Sequence, residues 1–176
     1  DTLDAGLAAT PLGIAGLTEL RLGKEPMYAY LPPNDPLASK RAVTQAELQG
    51  RELWVMPEGH CFRRQVLAYC GRDAPERPRS IQFESGSFQT LVRLVDDGLG
   101  ATVLPELALA ELGPKRRRRQ VRPLVSPVPV REIGLVVSRA DLRRRVTEAL
   151  AQSIRGALKA ALSAPPRRAT TLDPMA

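Results

Sequence analysis

The feature that most constrains the fold is a regular alternation of short apolar runs with stretches of helical periodicity. Runs such as residues 53–56 and 101–104 are bounded by polar residues, Gly or Pro, which is typical of buried strands. The last stretch has an apolar residue at every fourth position: Leu142, Val146, Leu150, Ile154 and Leu158. That spacing predicts a long amphipathic helix. Because strands alternate with helices throughout, we expect an α/β fold.

Turn and capping residues set the boundaries of most other elements. Further strand-like runs are residues 3–9, 20–22, 27–31, 81–83, 121–124 and 133–137. Pro26 stands between two of these runs and predicts a break or a crossover there. Thr44 and Glu47 are spaced as a capping box, which predicts a short helix that ends at Gly50.

The crossover near Pro26 and a later return divide the chain into two predicted lobes. Residues 1–23 and 129–163 would form part of lobe I, and residues 24–128 would form lobe II. Residues 164–176 are polar and proline-containing, so we expect a disordered tail. The chain opens abruptly on a strand, which suggests that its N-terminal part is incomplete.

Both cysteines and the single histidine of the chain lie in one segment, Gly59-His60-Cys61-Phe62-Arg63-Arg64-Gln65-Val66-Leu67-Ala68-Tyr69-Cys70. Gly59 ends a loop, and the apolar residues after it recur at helical spacing, so a helix is predicted to begin close to Cys61. A thiol reacts as its thiolate. The N–H groups of a helix start and the charges of Arg63 and Arg64 would favour a thiolate at Cys61. His60 adds a proton acceptor beside it.

The spacing of the two cysteines predicts that oxidation would change the structure of this segment. If residues 61–70 form one unbroken helix, the two Cα atoms lie about 13 Å apart. A disulfide needs Cα atoms within about 7 Å of each other. A Cys61–Cys70 disulfide would therefore remodel the helix, and a reversible oxidation would become a change of shape. The alternative is that both cysteines are small, unreactive core residues, which is the usual fate of unpaired Cys.

Composition limits the functions that the chain can have. A net charge of +7 could indicate nucleic-acid binding, but much of it lies in the basic run at residues 115–119. That run follows Gly113-Pro114 and is interpreted as a solvated loop, without interleaved aromatic residues that could stack on bases. No apolar stretch is long enough for a membrane span, so we expect neither a membrane segment nor a secretory signal. One histidine and two cysteines are too few for a zinc site, and no cofactor is expected.

Ser87 precedes another amphipathic stretch and has two interpretations. Its hydroxyl and the N–H groups of a helix start could hold an anionic effector, in a pocket that would include Thr90. Alternatively, Ser87 is simply the N-cap of the helix. Both interpretations predict a helix that starts at Phe88.

Several short motifs occur in the order found in the effector domain of LysR-type transcription regulators, which the chain resembles over residues 3–162. The motifs are Leu3-Asp4, Glu25-Pro26-Met27, Asp35-Pro36-Leu37-Ala38, Leu48-Gln49-Gly50, Gly59-His60-Cys61, Ser87-Phe88-Gln89-Thr90, Gly98-Leu99-Gly100, Leu104-Pro105 and Ile133-Gly134-Leu135-Val136. Within that family the chain is most similar to the hydrogen-peroxide sensors, because Gly-His-Cys is followed by a second Cys nine positions later.

The resemblance implies a fold and a role for each site residue. The fold would be a periplasmic-binding-protein-like (type II), two-lobed effector domain, incomplete at the N-terminus, and the protein would not be an enzyme. Cys61 would be the cysteine that peroxide oxidises to a sulfenic acid, and Cys70 the resolving cysteine that condenses with it to a disulfide. His60 and Arg63 would activate the first thiol. Arg64 stands where the family often has an acidic residue.

The resemblance also implies partners and a location. The partners are hydrogen peroxide, further copies of the chain in a homodimer or homotetramer formed through effector domains, and a glutaredoxin or thioredoxin-type reductant. Promoter DNA would be contacted only through a helix-turn-helix domain outside this chain, and RNA polymerase only by the full-length, cytoplasmic protein. A domain that binds a small organic effector near Ser87 and Thr90 remains an alternative. A thiol peroxidase is a weaker one, because the chain has no CxxC pair and position 67, where a Cys-x5-Arg loop would need Arg, is Leu.

Overall fold

Two long strands, Leu17–Tyr30 and Val128–Ser138, form the centre of the sheet in this computed structural model. The structure describes residues 3–71, 87–138, 144–164 and 166–175. The strands are β1 (Ala5–Thr10), β2 (Leu17–Tyr30), β3 (Thr102–Pro105), β4 (Val121–Pro123), β5 (Val128–Ser138) and β6 (Ala169–Thr171). The helices are α1 (Gln45–Gln49), α2 (Cys61–Cys70), α3 (Phe88–Asp96), α4 (Pro114–Gln120) and α5 (Arg144–Ala161). Two 3-10 helices span Pro36–Ser39 and Glu106–Glu111.

Among the described residues, these six strands join into one sheet whose main path runs β1, β5, β2, β3. Strand β4 pairs with β2, and β6 pairs with β5. The β5–β6 pair is parallel and the other ladders are antiparallel. The predicted α/β class is confirmed in its mixture of helices and strands.

Strand β2 changes partners halfway along its length. It pairs with β5 as far as Pro26, which lies opposite Val130, and with β3 from Met27, which lies opposite Pro105. The prediction of a break at Pro26 was wrong, because β2 is continuous there. A proline cannot donate to a ladder, and its missing N–H falls at the point where one ladder ends and the next begins. The structure shows an exchange of strand partners at this position, and the crossover between lobes stays a prediction.

The buried apolar residues form two clusters. The buried members of the smaller one are Leu22, Ile133, Leu135, Val137 and Ala151. The larger one takes its buried members from residues 27–124, with Leu172 added from the end of the chain. The clusters fall on either side of the boundaries expected for lobes I and II, and the division into lobes stays a prediction.

Local capping residues define the helices that frame the candidate site. Thr44 and Glu47 form the predicted capping box at α1: the Thr44 hydroxyl accepts from the Glu47 N–H at 3.2 Å, and the Glu47 carboxylate accepts from the Thr44 N–H at 2.8 Å. Ser87 is the predicted N-cap of α3 and accepts from the Gln89 N–H at 3.2 Å. These contacts satisfy N–H groups that a helix start leaves without a partner.

Two predicted elements differ from the structure. The basic run at residues 115–119 is exposed, as predicted, but forms most of α4 rather than a loop. Pro114 at the first helical position is preorganised for a helix, and Lys, Arg and Gln are good helix formers. Residues 53–56 are buried but form isolated bridges instead of a regular strand, with Leu53 opposite Ala101.

The end of the chain is also more ordered than predicted. Instead of a disordered tail throughout residues 164–176, residues 169–171 form β6 and Leu172 is buried. The expected strand at residues 81–83, most of the loop at 71–78, and Leu142 lie outside the described residues. Within the described ranges, no helix is both long and apolar enough to cross a membrane.

Candidate functional site

Helix α2 places the two cysteines at its opposite ends. It begins at Cys61, directly after the N-cap His60, and ends at Cys70, directly before the C-cap Gly71. Gly59 and Gly71 have φ angles of 84° and 62°. These values lie in the left-handed region that glycine adopts without the steric cost of a Cβ atom. A glycine on each side therefore fixes where the helix starts and stops.

The two thiols have different environments and are not joined. Cys61 is partly buried, whereas Cys70 is fully buried within the larger apolar cluster. The helix between them is unbroken, so their Cα atoms are about 13 Å apart by helix geometry. A disulfide between them cannot form while this helix is intact.

His60 acts as the N-cap of α2. Its Nδ1 accepts a hydrogen bond from the Phe62 N–H at 3.2 Å, so Nδ1 carries no proton and we infer that the proton is on Nε2. Burial, and then the positive charge of Arg131, lower the pKa of His60 from its ordinary value. The ring is therefore neutral at neutral pH. The expectation of a ready proton acceptor is modified, because the acceptor nitrogen is occupied and the other nitrogen is a donor.

The start of α2 also has fewer available N–H groups than the sequence suggested. The Phe62 N–H is bonded to the His60 ring, and the Arg63 N–H donates to the His60 carbonyl at 3.0 Å. Two N–H groups of the first turn are therefore already hydrogen-bonded within the helix start.

Arg63 and Arg64 are directed to different parts of the protein. The Arg63 guanidinium donates to the Met56 carbonyl at 3.4 Å, in the segment that leads into α2. Arg64 is exposed and donates to the Met175 carbonyl at 3.1 Å, close to the end of the chain. Arg63 thus stays beside the start of the helix, whereas Arg64 serves a contact outside the site.

Arg131 is a site residue that the sequence analysis missed. It lies on β5, and its guanidinium carbon is 5.5 Å from the centre of the Phe62 ring, the residue after Cys61. Its Nε atom is 2.5 Å from the carboxylate of Glu25, which is fully buried and also accepts from the Leu107 N–H at 2.7 Å. The ion pair fixes a positive charge near His60 and the start of α2. No local signal in the sequence pointed to it, because Glu25 and Arg131 lie outside the predicted strand-like runs and become neighbours only through the pairing of β2 with β5.

Aromatic contacts connect this site to α3. The Phe88 ring packs edge-on against Phe62, with centroids 5.3 Å apart, and against the His60 ring at 6.4 Å. Phe88 also lines a cavity of about 250 Å³ beside α3, together with Gln89, Val92, Arg93, Ala108, Glu111, Leu112 and Arg116. Neither Ser87 nor Thr90 lines this cavity. Ser87 caps α3, as one interpretation predicts, and an effector pocket at Ser87 and Thr90 stays a prediction.

The arrangement contains the groups that thiol chemistry needs. A partly exposed thiol stands at a helix start near a fixed cation, and a second thiol is held away from it in the core. Among the described residues, no group of three or more His, Cys, Asp or Glu side chains could hold a metal ion.

Comparisons with known proteins identify the family. Residues 1–159 match the model of the LysR substrate binding domain. The chain is 37% identical over 134 residues to a "Probable hydrogen peroxide-inducible genes activator" of Mycobacterium avium, covering 76% of this chain and 42% of that protein. It is 33% identical over 155 residues to the "DNA-binding transcriptional dual regulator OxyR" of Escherichia coli K12, covering 87% and 49%.

A solved structure agrees with these relatives. The reduced form of the OxyR regulatory domain from Pseudomonas aeruginosa superposes with a TM-score of 0.74 at 34% identity, covering 87% of this chain and 72% of that one. The chain spans about half the length of the curated relatives it matches. The expected periplasmic-binding-protein-like (type II) fold is confirmed, and the chain belongs to the LysR substrate-binding-domain family, with relatives that include OxyR regulatory domains.

Proposed function

We propose that this chain is the redox-sensing regulatory domain of a LysR-type transcription regulator that responds to hydrogen peroxide. The observation that carries the proposal is the placement of Cys61 and Cys70 at opposite ends of one unbroken helix. Two thiols that can join only by dismantling the helix between them couple oxidation to shape. The hydrogen-peroxide-inducible activators among the relatives support the choice of oxidant.

The proposed reaction starts at Cys61. Its thiolate attacks one oxygen of hydrogen peroxide, the O–O bond breaks, and the leaving hydroxide takes up a proton to become water. Cys61 is then a sulfenic acid. The Cys70 thiol attacks that sulfur, a disulfide forms, and the sulfenic oxygen leaves as a second water. Two thiols lose two electrons in total, and one peroxide gains them.

Each neighbour of Cys61 has a proposed part in the first step. The fixed guanidinium of Arg131 and the dipole of α2 favour negative charge near the helix start. The Nε2 proton of His60 can donate to a peroxide oxygen, because Nδ1 is engaged with the Phe62 N–H. Arg63 holds the segment before the helix through Met56. We therefore assign Arg131, rather than Arg64, as the second cationic neighbour beside Arg63.

The partners of the full regulator follow from this proposal. Disulfide formation would change how effector domains pair in a dimer or tetramer, and a helix-turn-helix domain outside this chain would carry the change to promoter DNA and RNA polymerase. A dithiol reductant of the glutaredoxin or thioredoxin class would reset the switch. The chain would be a cytoplasmic sensor and not an enzyme.

Thiol mapping after exposure to equimolar peroxide tests the proposal. We expect mass spectrometry to find a Cys61–Cys70 disulfide formed at equimolar or lower peroxide. Absence of that disulfide, or a need for peroxide in large excess, would refute the sensor function. Sustained peroxide consumption in the presence of a dithiol reductant at enzyme-like rates would instead support a thiol peroxidase.

A further inference from the structure

The last described residues of the chain, 169–175, lie along the sheet and reach helix α2; we call them the strap. Residues 169–171 form β6, which runs parallel to β5 with Ala169 opposite Val128 and Thr171 opposite Val130. The Leu172 N–H then donates to the Val130 carbonyl at 2.8 Å. The strap is therefore attached to the sheet by a very short strand.

Two hydrogen bonds and a shared apolar cluster connect the strap to α2. The Leu172 side chain is buried in the apolar cluster to which Phe62 and Val66 of α2 belong. The carbonyl of Leu172 accepts a hydrogen bond from the Gln65 Nε2 at 2.8 Å, and Gln65 is fully buried. The Met175 carbonyl accepts from Arg64. Gln65 and Arg64 lie in the middle of the helix that separates the two cysteines.

We infer that the strap is a redox-dependent segment, held down while α2 is intact and released when Cys61 and Cys70 are joined. The inference rests on the proposed function. Bringing Cα atoms about 13 Å apart to within about 7 Å requires residues 61–70 to give up helical turns. Gln65 and Arg64 then leave the positions from which they bind Leu172 and Met175.

The strap has little to hold it once these contacts are lost. All three residues of β6 are exposed, so the strand contributes backbone pairing but almost no side-chain burial. A three-residue edge strand is too short to be stable by itself. Leu172 and Pro174 are the buried residues of the strap, and Leu172 belongs to the same apolar cluster as Phe62 and Val66 of α2. Release would expose the edge of β5 at residues 128–130.

Hydrogen exchange of the Leu172 amide tests the inference. We expect the peptide that contains residues 169–175 to be protected in the reduced chain, and to exchange at least about tenfold faster once the Cys61–Cys70 disulfide has formed. The matched control is Cys70→Ser, in which peroxide can oxidise Cys61 but no bridge can form. Its strap should remain protected after peroxide, because α2 stays intact.

The outcomes separate the strap from the sensor function. If peroxide forms the disulfide and the strap stays as protected as in the reduced chain, the strap inference is wrong and the sensor function stands. If peroxide does not form the disulfide but the thiol oxidant diamide does, the sensor function fails. Hydrogen exchange of residues 169–175 in the diamide-oxidised chain then tests whether the strap is released. If neither oxidant joins the cysteines, α2 does not rearrange and both are wrong.

A second variant tests the coupling in the opposite direction. Coupling free energies are reciprocal, so a strap that is released by oxidation must also resist it. Leu172→Ser should loosen the strap in the reduced chain and shift the equilibrium between the Cys61–Cys70 dithiol and its disulfide toward the disulfide by a few-fold, measured in a glutathione redox buffer. Leu3→Ser, at a leucine that is 83% exposed, is the control and should leave that equilibrium unchanged. A Leu172→Ser chain with a loosened strap and an unchanged equilibrium would overturn the inference.

Discussion

Cys61 and Cys70 bound the same helix, yet they lie in opposite environments. Cys61 is partly exposed, with a neutral His60 before it and the guanidinium of Arg131 close to the following residue. Cys70 is fully buried among apolar residues and is followed by the left-handed Gly71. Burial in apolar surroundings disfavours a thiolate, whereas a helix start and a nearby cation favour it. In the proposed function the two ends are therefore not interchangeable: Cys61 is the thiol that reacts with peroxide, and Cys70 joins it once the helix opens.

Substitution of each cysteine in turn should have the largest effect on the reaction with peroxide, and it tests the difference between the two thiols directly. Cys61→Ser should abolish reaction with equimolar peroxide, because the buried Cys70 cannot meet the oxidant while α2 is intact. Cys70→Ser should still react and stop at a sulfenic acid. Trapping with dimedone followed by mass spectrometry measures both. Equal loss of oxidation in the two variants would contradict the assignment of separate roles.

Removal of the Arg131 guanidinium should have the next largest effect: it should slow the reaction of Cys61 with peroxide and destabilise the fold. Arg131→Met leaves the fully buried Glu25 carboxylate without its ion pair, which should lower the free energy of unfolding by about 3–5 kcal/mol. Urea denaturation measures this loss. Arg144→Met is the control: it removes a guanidinium that is 87% exposed from its pair with Glu148, which is 60% exposed, and should cost below about 1 kcal/mol.

The double variant Glu25→Gln with Arg131→Met separates stability from reactivity. Removing both buried charges should recover part of the lost stability, since no unpaired charge remains. The reaction of Cys61 with peroxide should stay slow, because the cation near the helix start is still missing. A double variant that reacts at the wild-type rate would remove Arg131 from the site.

The contrast between Arg63 and Arg131 shows what the sequence could predict and why the rest was missed. The bounds of α2, the capping box at Thr44 and the N-cap at Ser87 were predicted correctly, because caps and glycines act within a few residues. Arg131 is distant from Cys61 along the chain, and only the pairing of β5 with β2 brings its side chain to Glu25 and Phe62.

Long-range pairing also explains the two segments that differ most from prediction. The end of the chain is polar enough to suggest disorder, yet β6 pairs with β5 and Leu172 enters the core. The basic run at residues 115–119 has the charge of a solvated loop, but Pro114 starts a helix that local propensity then sustains. At the end of the chain, tertiary contacts override the composition. In the basic run, local helix propensity overrides the composition.

A smaller effect is expected at the other end of α2, where Gly71 ends the helix. Gly71→Ala places a Cβ atom at a φ of 62° and 2.9 Å from the Gln49 Nε2, and should destabilise the protein by about 1–2 kcal/mol. Gly50→Ala is the matched control, because Gly50 caps α1 with an ordinary φ of −75° and its nearest contact would be at 3.7 Å. Thermal or urea unfolding measures both. Similar losses in the two variants would show that the left-handed cap does not define the end of α2.

The smallest effect concerns the cap at the start of α2 and depends on pH. Burial and Arg131 lower the pKa of His60 in the folded chain, so the unfolded chain binds a proton first as the pH falls below about 6.5. The contribution of the neutral His60 ring to the free energy of unfolding is therefore fully present above that pH. It decreases as the pH falls and stops decreasing below the pKa of His60 in the folded chain. His60→Asn keeps a side chain that can cap the helix but cannot titrate.

The difference in unfolding free energy between wild type and His60→Asn isolates this term, because the chain has one histidine and the carboxylates cancel. We expect the wild type to lose stability relative to the variant between about pH 7.5 and about pH 5.5, by less than the Gly71→Ala effect, since the ring is partly solvated. Protonation would also remove the acceptor that holds the Phe62 N–H. Parallel stability curves for the two proteins would mean that His60 is not the neutral cap that distinguishes the reactive end of α2 from the buried one.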